Sequence, residues 1–257
     1  MAEKKEHKIV AAKTGKQVTP APQTTARKAP KEAAPVGNAG GLRAGAIVLW
    51  VFAIAFEVLA LLVVLGKLNF NFMPTMWQLI VLLVLDLACV IIGAQLWKKA
   101  NHIKPASKAN PTLFWIWNNM GLIVCVVAFV PIIIILLTNK NLDKKTKTIA
   151  TVVAIIALLI GGAASIDYNP VSAEEQAAAI NTLGDVNVYW APFGKVYHTH
   201  DDCQALNHTD ELTYGTVEQA IAANRTRLCS FCAHRDDITG VVTDRAEDVE
   251  EVLDPAA

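Results

Sequence analysis

Four long apolar runs lie between residues 44 and 166 and restrict the folds that this chain can adopt. Each run holds about 19 residues or more, which is the length that an α-helix needs to cross a bilayer core of roughly 30 Å. Lipid offers the backbone no hydrogen-bond partners, so runs of this kind favour helices. The predicted spans are about 44–66, 75–97, 112–138 and 148–166. The sequence therefore predicts an α-helical integral membrane protein with four transmembrane helices in contact with the lipid bilayer.

The two ends of the chain are polar and carry opposite charge. Residues 1–43 contain nine Lys or Arg against three Glu and almost no large apolar side chain, which predicts a disordered basic tail. Residues 167–257 carry a net charge of −12, and the part at 236–257 predicts an acidic disordered tail. Because such a region would repel phosphate backbones, nucleic acid is not expected as a partner.

The orientation is predicted from the lysine and arginine residues that flank the spans. With the N-terminus inside, eight of these residues fall on the inner side and five on the outer side. This distribution favours both termini in the cytoplasm. The lysine-rich loop at 140–147 opposes that orientation, because it then lies outside.

Two carboxyl groups lie deep inside the predicted spans. Glu57 is two residues past the middle of the first span, and Asp86 is at the middle of the second. At about 1.5 Å per residue, both lie within roughly 3 Å of the midplane, so adjacent antiparallel helices could bring them together. A charge there costs at least about 2.5 to 3.5 kcal/mol, so each group must be neutral, paired or in a wet cavity. The functional interpretation is a proton or cation site, and the alternative is a pair of hydrogen-bonded acids within the bundle.

The residues after the last span predict a small α+β domain. Ser172 with Glu175 and Thr216 with Gln219 are capping boxes that mark two helix starts. The predicted elements are a linker helix within 167–185, hairpin strands at 186–190 and 195–198, and a short helix from 216 to 223. The domain itself is assigned to residues 186–235.

This domain concentrates residues that can bind a metal ion. Cys229 and Cys232 form a Cys-x-x-Cys knuckle, and Cys203 lies upstream after two histidines, His198 and His200. Zinc takes four tetrahedral sulfur or nitrogen ligands, so the knuckle, Cys203 and one histidine would complete a closed structural site. The competing hypothesis is a redox dithiol, which needs the cysteine pair at the start of a helix after a strand. Here the predicted order places the pair after a helix instead.

The stretch 188–232 begins VYWAPFGKVYHTHDDCQAL and ends GTVEQAIAANRTRLCSFC. It resembles the small zinc-binding module of Ada-type DNA alkylation-repair proteins, and still more the related modules appended to bacterial membrane and secreted proteins. The resemblance implies four zinc ligands: His198, Cys203, Cys229 and Cys232. It favours His198 over His200 because Gly194 and Tyr197 match the motif. In the repair proteins a cysteine at the first ligand position accepts the alkyl group, so a histidine there implies that methyl transfer does not carry over.

These features together predict a non-enzymatic bacterial plasma-membrane protein that displays a zinc-binding domain for protein interaction or sensing. The alternative is a small ion- or proton-coupled transporter or membrane enzyme that uses Glu57 and Asp86. The two hypotheses differ in what they require of the carboxyl groups, because only the second needs them for activity.

Overall fold

The computed structural model describes residues 7–19, 36–184 and 186–244. The helices are α1 (Ala39–Val64), α2 (Thr75–Ile103), α3 (Pro111–Asn118), α4 (Met120–Thr138), α5 (Lys144–Ser165), α6 (Ala173–Leu183), α7 (Val217–Ala222) and α8 (Ser230–Arg235). The strands are β1 (Lys8–Ala11), β2 (Val188–Trp190), β3 (Val196–Tyr197), β4 (Glu211–Gly215) and β5 (Arg227–Leu228). The chain divides into two compact units. The helical unit comprises Ala39–Ala100 and Asn110–Tyr168, and the mixed unit comprises the described residues of Met1–Asn38, Asn101–Ala109 and Asn169–Ala257.

Four helices among the described residues, namely α1, α2, α4 and α5, are long and apolar enough to cross a membrane. They confirm the four predicted apolar helices, although α1 and α5 begin earlier and α2 ends later than the apolar runs alone indicated. The third run forms two helices: α3 ends at Asn118, and α4 starts at Met120. The Asn118 and Asn119 side chains donate to the carbonyls of Phe114 and Trp115, at 3.0 and 2.9 Å. Asparagine side chains compete in this way with regular helical bonding, which a count of apolar residues does not detect.

Small residues make up much of the buried faces of α1 and α5. In α1, Ala46, Ala53 and Ala60 follow one another at seven-residue intervals and are fully buried. The helix α4 packs against both α1 and α5. Helices that associate in lipid commonly use small residues at their interfaces, because these let the backbones approach closely.

Gly121 in α4 lies directly against Ala94 of α2, and Gly121→Ala is expected to destabilise the helical unit. A Cβ at this position would lie 2.6 Å from Ala94 Cβ and 3.2 Å from Ala94 Cα. Since neither atom belongs to a flexible side-chain end, α2 and α4 would have to separate, at a cost of about 1–3 kcal/mol. Thermal unfolding of the full-length protein in detergent measures the effect. The control is Gly162→Ala, whose Cβ would meet Leu122 Cδ1 at an ordinary 3.5 Å, and an equal loss in both variants would contradict the expectation.

The mixed unit is built on a three-stranded sheet in the order β1-β4-β2 and a two-stranded parallel sheet, β3-β5. In the first sheet β4 is central, parallel to β1 and antiparallel to β2. The predicted hairpin is present only as a bridge between the two sheets. There Tyr189 and His198 exchange backbone hydrogen bonds of 2.8 and 2.7 Å.

The N-terminal strand differs from the disorder that composition predicts for residues 1–43. Lys8–Ala11 pair in register with Glu211–Tyr214, and the side chain of Ile9 is buried in the core of the mixed unit. The strand forms because the free edge of β4 supplies its hydrogen bonds and its apolar cover, both of which lie far away in sequence. Residues 1–6 and 20–35 of the predicted tail lie outside the described residues.

The C-terminal segment differs in the same way from the predicted disorder of 236–257. Ile238 and Val241 are buried in the core of the mixed unit. The amide of Leu228 donates to the carbonyl of Val242 at 3.0 Å, so this segment continues the β3-β5 sheet. Residues 245–257 lie outside the described residues.

Both predicted capping boxes are confirmed, and the first turn of α6 also holds the segment Asn101–Ala109. Ser172 and Thr216 are the N-caps of α6 and α7. Glu174 in the first turn of α6 accepts hydrogen bonds from the Ser107 hydroxyl and from the Lys108 amide. These bonds, with the Ser107 hydroxyl contributing most, lower the pKa of Glu174 to about 2.

Candidate metal centre

The four residues that the sequence predicts as ligands lie together in the mixed unit. One nitrogen of His198 and the sulfurs of Cys203, Cys229 and Cys232 all lie within 4.8 Å of one another. All four side chains are buried. A buried group with three sulfur ligands and one nitrogen ligand could hold a metal ion.

Two short parallel strands bring His198 and Cys229 side by side. Tyr197 at the end of β3 is in register with Leu228 at the end of β5. His198 and Cys229 are the next residues in each chain segment, so both leave the sheet at the same end. The Cys229 amide donates to the Tyr197 carbonyl at 2.9 Å and extends the ladder by one bond.

The other two cysteines reach this end of the sheet from short helical segments. Cys229 is the N-cap of α8, so Cys232 lies in the first turn of that helix. Cys203 is the N-cap of a 3₁₀ turn, Gln204–Leu206, and has nearly the same backbone conformation as Cys229. Each helical start directs one cysteine towards the strand ends, and α8 adds a second cysteine from its first turn.

The distances within the group fit tetrahedral coordination. Cys203 Sγ lies 3.9 Å from Cys229 Sγ, and Cys232 Sγ lies 3.8 Å from His198 Nδ1. With zinc–sulfur bonds of about 2.3 Å, the edge of a tetrahedron of sulfurs is about 3.8 Å. Both of these distances are therefore close to the edge of such a tetrahedron, and His198 would bind through Nδ1.

The electrostatics of the group are those of closely packed thiols around an imidazole. Burial opposes a charge on His198, but hydrogen bonds with Cys203 and Cys232 outweigh it and raise the pKa of His198 to about 9. Hydrogen bonds with Cys203 and Cys229 lower the pKa of the Cys232 thiol. The group thus favours a thiolate at Cys232, and thiolate is the form in which cysteine binds metals.

His200, which the spacing left open as a ligand, lies outside the group. Its Nε2 is 2.7 Å from Asp236 Oδ1, while the Thr199 hydroxyl donates to Asp236 Oδ2 at 2.6 Å. The Asp236 amide in turn donates to the Cys232 carbonyl at 3.0 Å. Asp236 thereby ties the segment after His198 to the end of α8.

We expect His200→Ala to keep its metal and His198→Ala to lose it. The His200 ring contacts Asp236 rather than the cysteine sulfurs, so its removal leaves the four ligand atoms in place. Elemental analysis of the two purified variants measures the bound metal. Loss of metal from His200→Ala with retention in His198→Ala would reverse the assignment.

The cysteine pair follows α7, as the sequence predicts, but it also lies at the start of a helix. Cys229 caps α8 directly after β5. That local order is the one that redox motifs use. What distinguishes this group is the presence of His198 and Cys203 within 4.8 Å of both knuckle sulfurs, as in a four-ligand site.

Sequence reasoning missed the acidic residues that support the centre. Asp236 and Asp244 both fall in the segment that composition assigns to a disordered tail. The Asp244 carboxylate accepts the Ser230 amide at 2.8 Å, at the start of the helix that carries Cys232. No local pattern marks these positions, because their partners lie up to 37 residues away.

Comparison with protein-family models, curated proteins and solved structures finds no match to the chain.

Proposed function

We propose that the chain is a bacterial plasma-membrane protein whose mixed unit is stabilised by a structural zinc ion and serves in protein interaction or sensing. The observation that carries this proposal is the buried group of His198, Cys203, Cys229 and Cys232. Three thiolates and one imidazole at tetrahedral spacing suit zinc, because zinc accepts soft sulfur and nitrogen ligands without a redox change. All four positions would be filled by protein, so no position is left for a substrate or a reactive water.

The surface of the helical unit supports insertion into a bilayer. Many large apolar side chains on α1, α2, α4 and α5 are exposed, including Val51, Ile92, Ile134 and Leu159. A soluble protein rarely exposes contiguous apolar surface on this scale, whereas lipid would cover it. Trp77 and Trp115 are also exposed near helix ends, where interfacial tryptophans are enriched.

The composition of the mixed unit supports four crossings with both termini on one side. The unit contains β1, the segment Asn101–Ala109 and the residues from Asn169 onward. These segments precede the first candidate span, separate the second from the third, and follow the fourth. Four successive crossings would put these three segments on the same side of a bilayer. Because the segments contact one another within one unit, they must lie on the same side. The distribution of Lys and Arg favours the cytoplasmic side.

An interaction role is supported by an exposed aromatic side chain of the mixed unit. Phe193 is 100% exposed at the turn between β2 and β3. The Arg225 guanidinium donates to the carbonyls of Ala191 and Pro192, and so fixes this turn. Large aromatic residues held outward on a fixed backbone are typical anchors of protein interfaces. DNA repair is disfavoured, because a histidine replaces the alkyl-accepting cysteine and the region carries a net charge of −12.

The orientation is tested by labelling single introduced cysteines with a membrane-impermeant maleimide. The native cysteines of the mixed unit are buried, so they do not report on accessibility. We expect Phe72→Cys, in the loop between α1 and α2, to react in intact cells, and Phe193→Cys to react only after permeabilisation. Both phenylalanines are exposed, so each variant is the other's control. The opposite pattern would place the mixed unit outside, and labelling of both in intact cells would contradict four crossings.

A further inference from the structure

The helical unit buries two carboxyl groups, Glu57 in α1 and Asp86 in α2. Asp86 is 0% exposed and Glu57 is 6% exposed. Neither oxygen of Asp86, nor Oε1 of Glu57, has a hydrogen-bond partner among the residues that the structure describes. Buried polar atoms are nearly always paired, because an unpaired one loses its hydration without compensation. Carboxyl groups that only held helices together would be expected to bond to neighbouring side chains or carbonyls.

The two carboxyl groups lie at the same level of packed helices. Gly93 of α2 lies against Trp50 of α1, and Gly45 of α1 lies against Leu96 of α2, so the two helices run antiparallel. Glu57 and Asp86 are each seven residues, about two turns, beyond the contact of Trp50 with Gly93.

The titratable groups that interact with Asp86 are Glu57 on α1, Cys89 on α2 itself and Cys125 on α4. The buried residues of α5 include no titratable side chain. The sequence has no Lys, Arg or His at 68–97, 109–139 or 148–166, so these parts of the helices offer no positive partner. Two ionised carboxylates at one level of an apolar core cannot persist without a cation.

We propose that Glu57 and Asp86 form a binding site for one small monovalent cation, a proton or Na⁺, in the core of the helical unit. A shared cation removes the repulsion between the carboxylates and supplies the partner that the Asp86 oxygens lack. This inference is independent of the metal centre, because it concerns residues of the helical unit only.

The site is tested with dicyclohexylcarbodiimide on the full-length protein in detergent. This apolar reagent adds to a protonated carboxyl group and leaves a stable acylurea, which peptide mass mapping assigns to a residue. We expect Glu57 or Asp86 to be labelled at about pH 6 and labelled at least about tenfold less at about pH 9, because only the protonated acid reacts. Asp143, which is exposed and caps α5, is the internal control and should remain unlabelled.

Adding NaCl separates the two cations at constant pH. If the site takes Na⁺, labelling falls as NaCl replaces choline chloride, because bound Na⁺ displaces the reactive proton. If the site takes only protons, labelling follows pH and not the choice of salt. Labelling that is absent at every pH, or that changes with neither pH nor Na⁺, overturns the proposal.

The variant Asp86→Asn separates a cation site from a structural role. Because the Asp86 oxygens make no hydrogen bond within the described residues, Asp86→Asn should leave the thermal unfolding temperature unchanged or raise it. Its only expected loss is the pH-dependent label at position 86. An Asp86→Asn protein that aggregates or melts earlier, together with a wild-type protein that shows no label, would identify Asp86 as a structural residue instead.

Discussion

Cys203→Ser is expected to reduce the bound zinc from about one ion per chain to nearly none and to unfold the mixed unit. The core of so small a domain supplies only about 3–5 kcal/mol. Structural zinc in small zinc-finger peptides contributes about 10–16 kcal/mol at pH 7. Since the metal contribution is the larger of the two, loss of one thiolate ligand removes most of what keeps the unit folded. Elemental analysis measures the loss of zinc, and hydrogen exchange of the β4 amides measures the unfolding of the mixed unit.

The matched control for this substitution is Cys89→Ser, which makes the same chemical change in α2. Cys89 lies in the helical unit, away from the four ligand atoms. The Cys89→Ser protein should retain zinc, and the amides of β4 should still exchange slowly. A Cys203→Ser protein that retained zinc and a protected β4 would show that the mixed unit does not depend on a four-ligand site.

The same pair of measurements decides between a zinc centre and a redox dithiol. A dithiol at Cys229 and Cys232 would form a disulfide on oxidation, reopen on reduction and not require Cys203. A zinc centre predicts that Cys203→Ser and Cys229→Ser lose metal together.

Local sequence patterns predicted much of the fold because their physical causes are local. The four apolar runs make up most of the helices α1, α2, α4 and α5. An apolar run of this length favours a helix through its own residues, so contacts with distant residues are not needed to predict it. The capping boxes of Ser172 and Thr216 likewise depend on contacts across three residues. Residue types, spacing and a resemblance predicted which four ligands would lie together, and their binding of zinc remains a prediction.

What the sequence could not predict depends on distant partners. The Lys8 and Glu211 side chains pair although they are 203 positions apart in the sequence. The sequence KIVA contains no local signal that predicts a strand paired with such a distant segment. Spacing alone left His198 and His200 open and the resemblance favoured His198, whereas the register of β3 with β5 is what places His198 beside Cys229. The carboxylate of Asp236 acquired its role only when the segment after α8 folded back onto the sheet.

Ile9→Ala is expected to weaken the mixed unit although the residue precedes all four candidate spans. Ile9 is buried to 8% exposure in the core that also contains Leu212 and Val188. Truncating a buried isoleucine to alanine costs about 2 kcal/mol or more, so the amides of β4 should exchange about thirtyfold faster. Hydrogen exchange with mass spectrometry on peptides that cover Glu211–Gly215 measures this in the intact protein.

Lys8→Ala is the matched control, because it alters the neighbouring residue of the same strand. The Lys8 ammonium pairs with Glu211 at 2.7 Å, but both side chains are about half exposed. Exposed pairs of this kind contribute about 0–1 kcal/mol. Lys8→Ala should therefore speed the hydrogen exchange of the β4 amides by about fivefold at most. Equal exchange in Ile9→Ala and wild-type protein would mean that β1 does not add to the stability of β4. The pairing of β1 with β4 would then no longer support the placement of both termini on one side of the membrane.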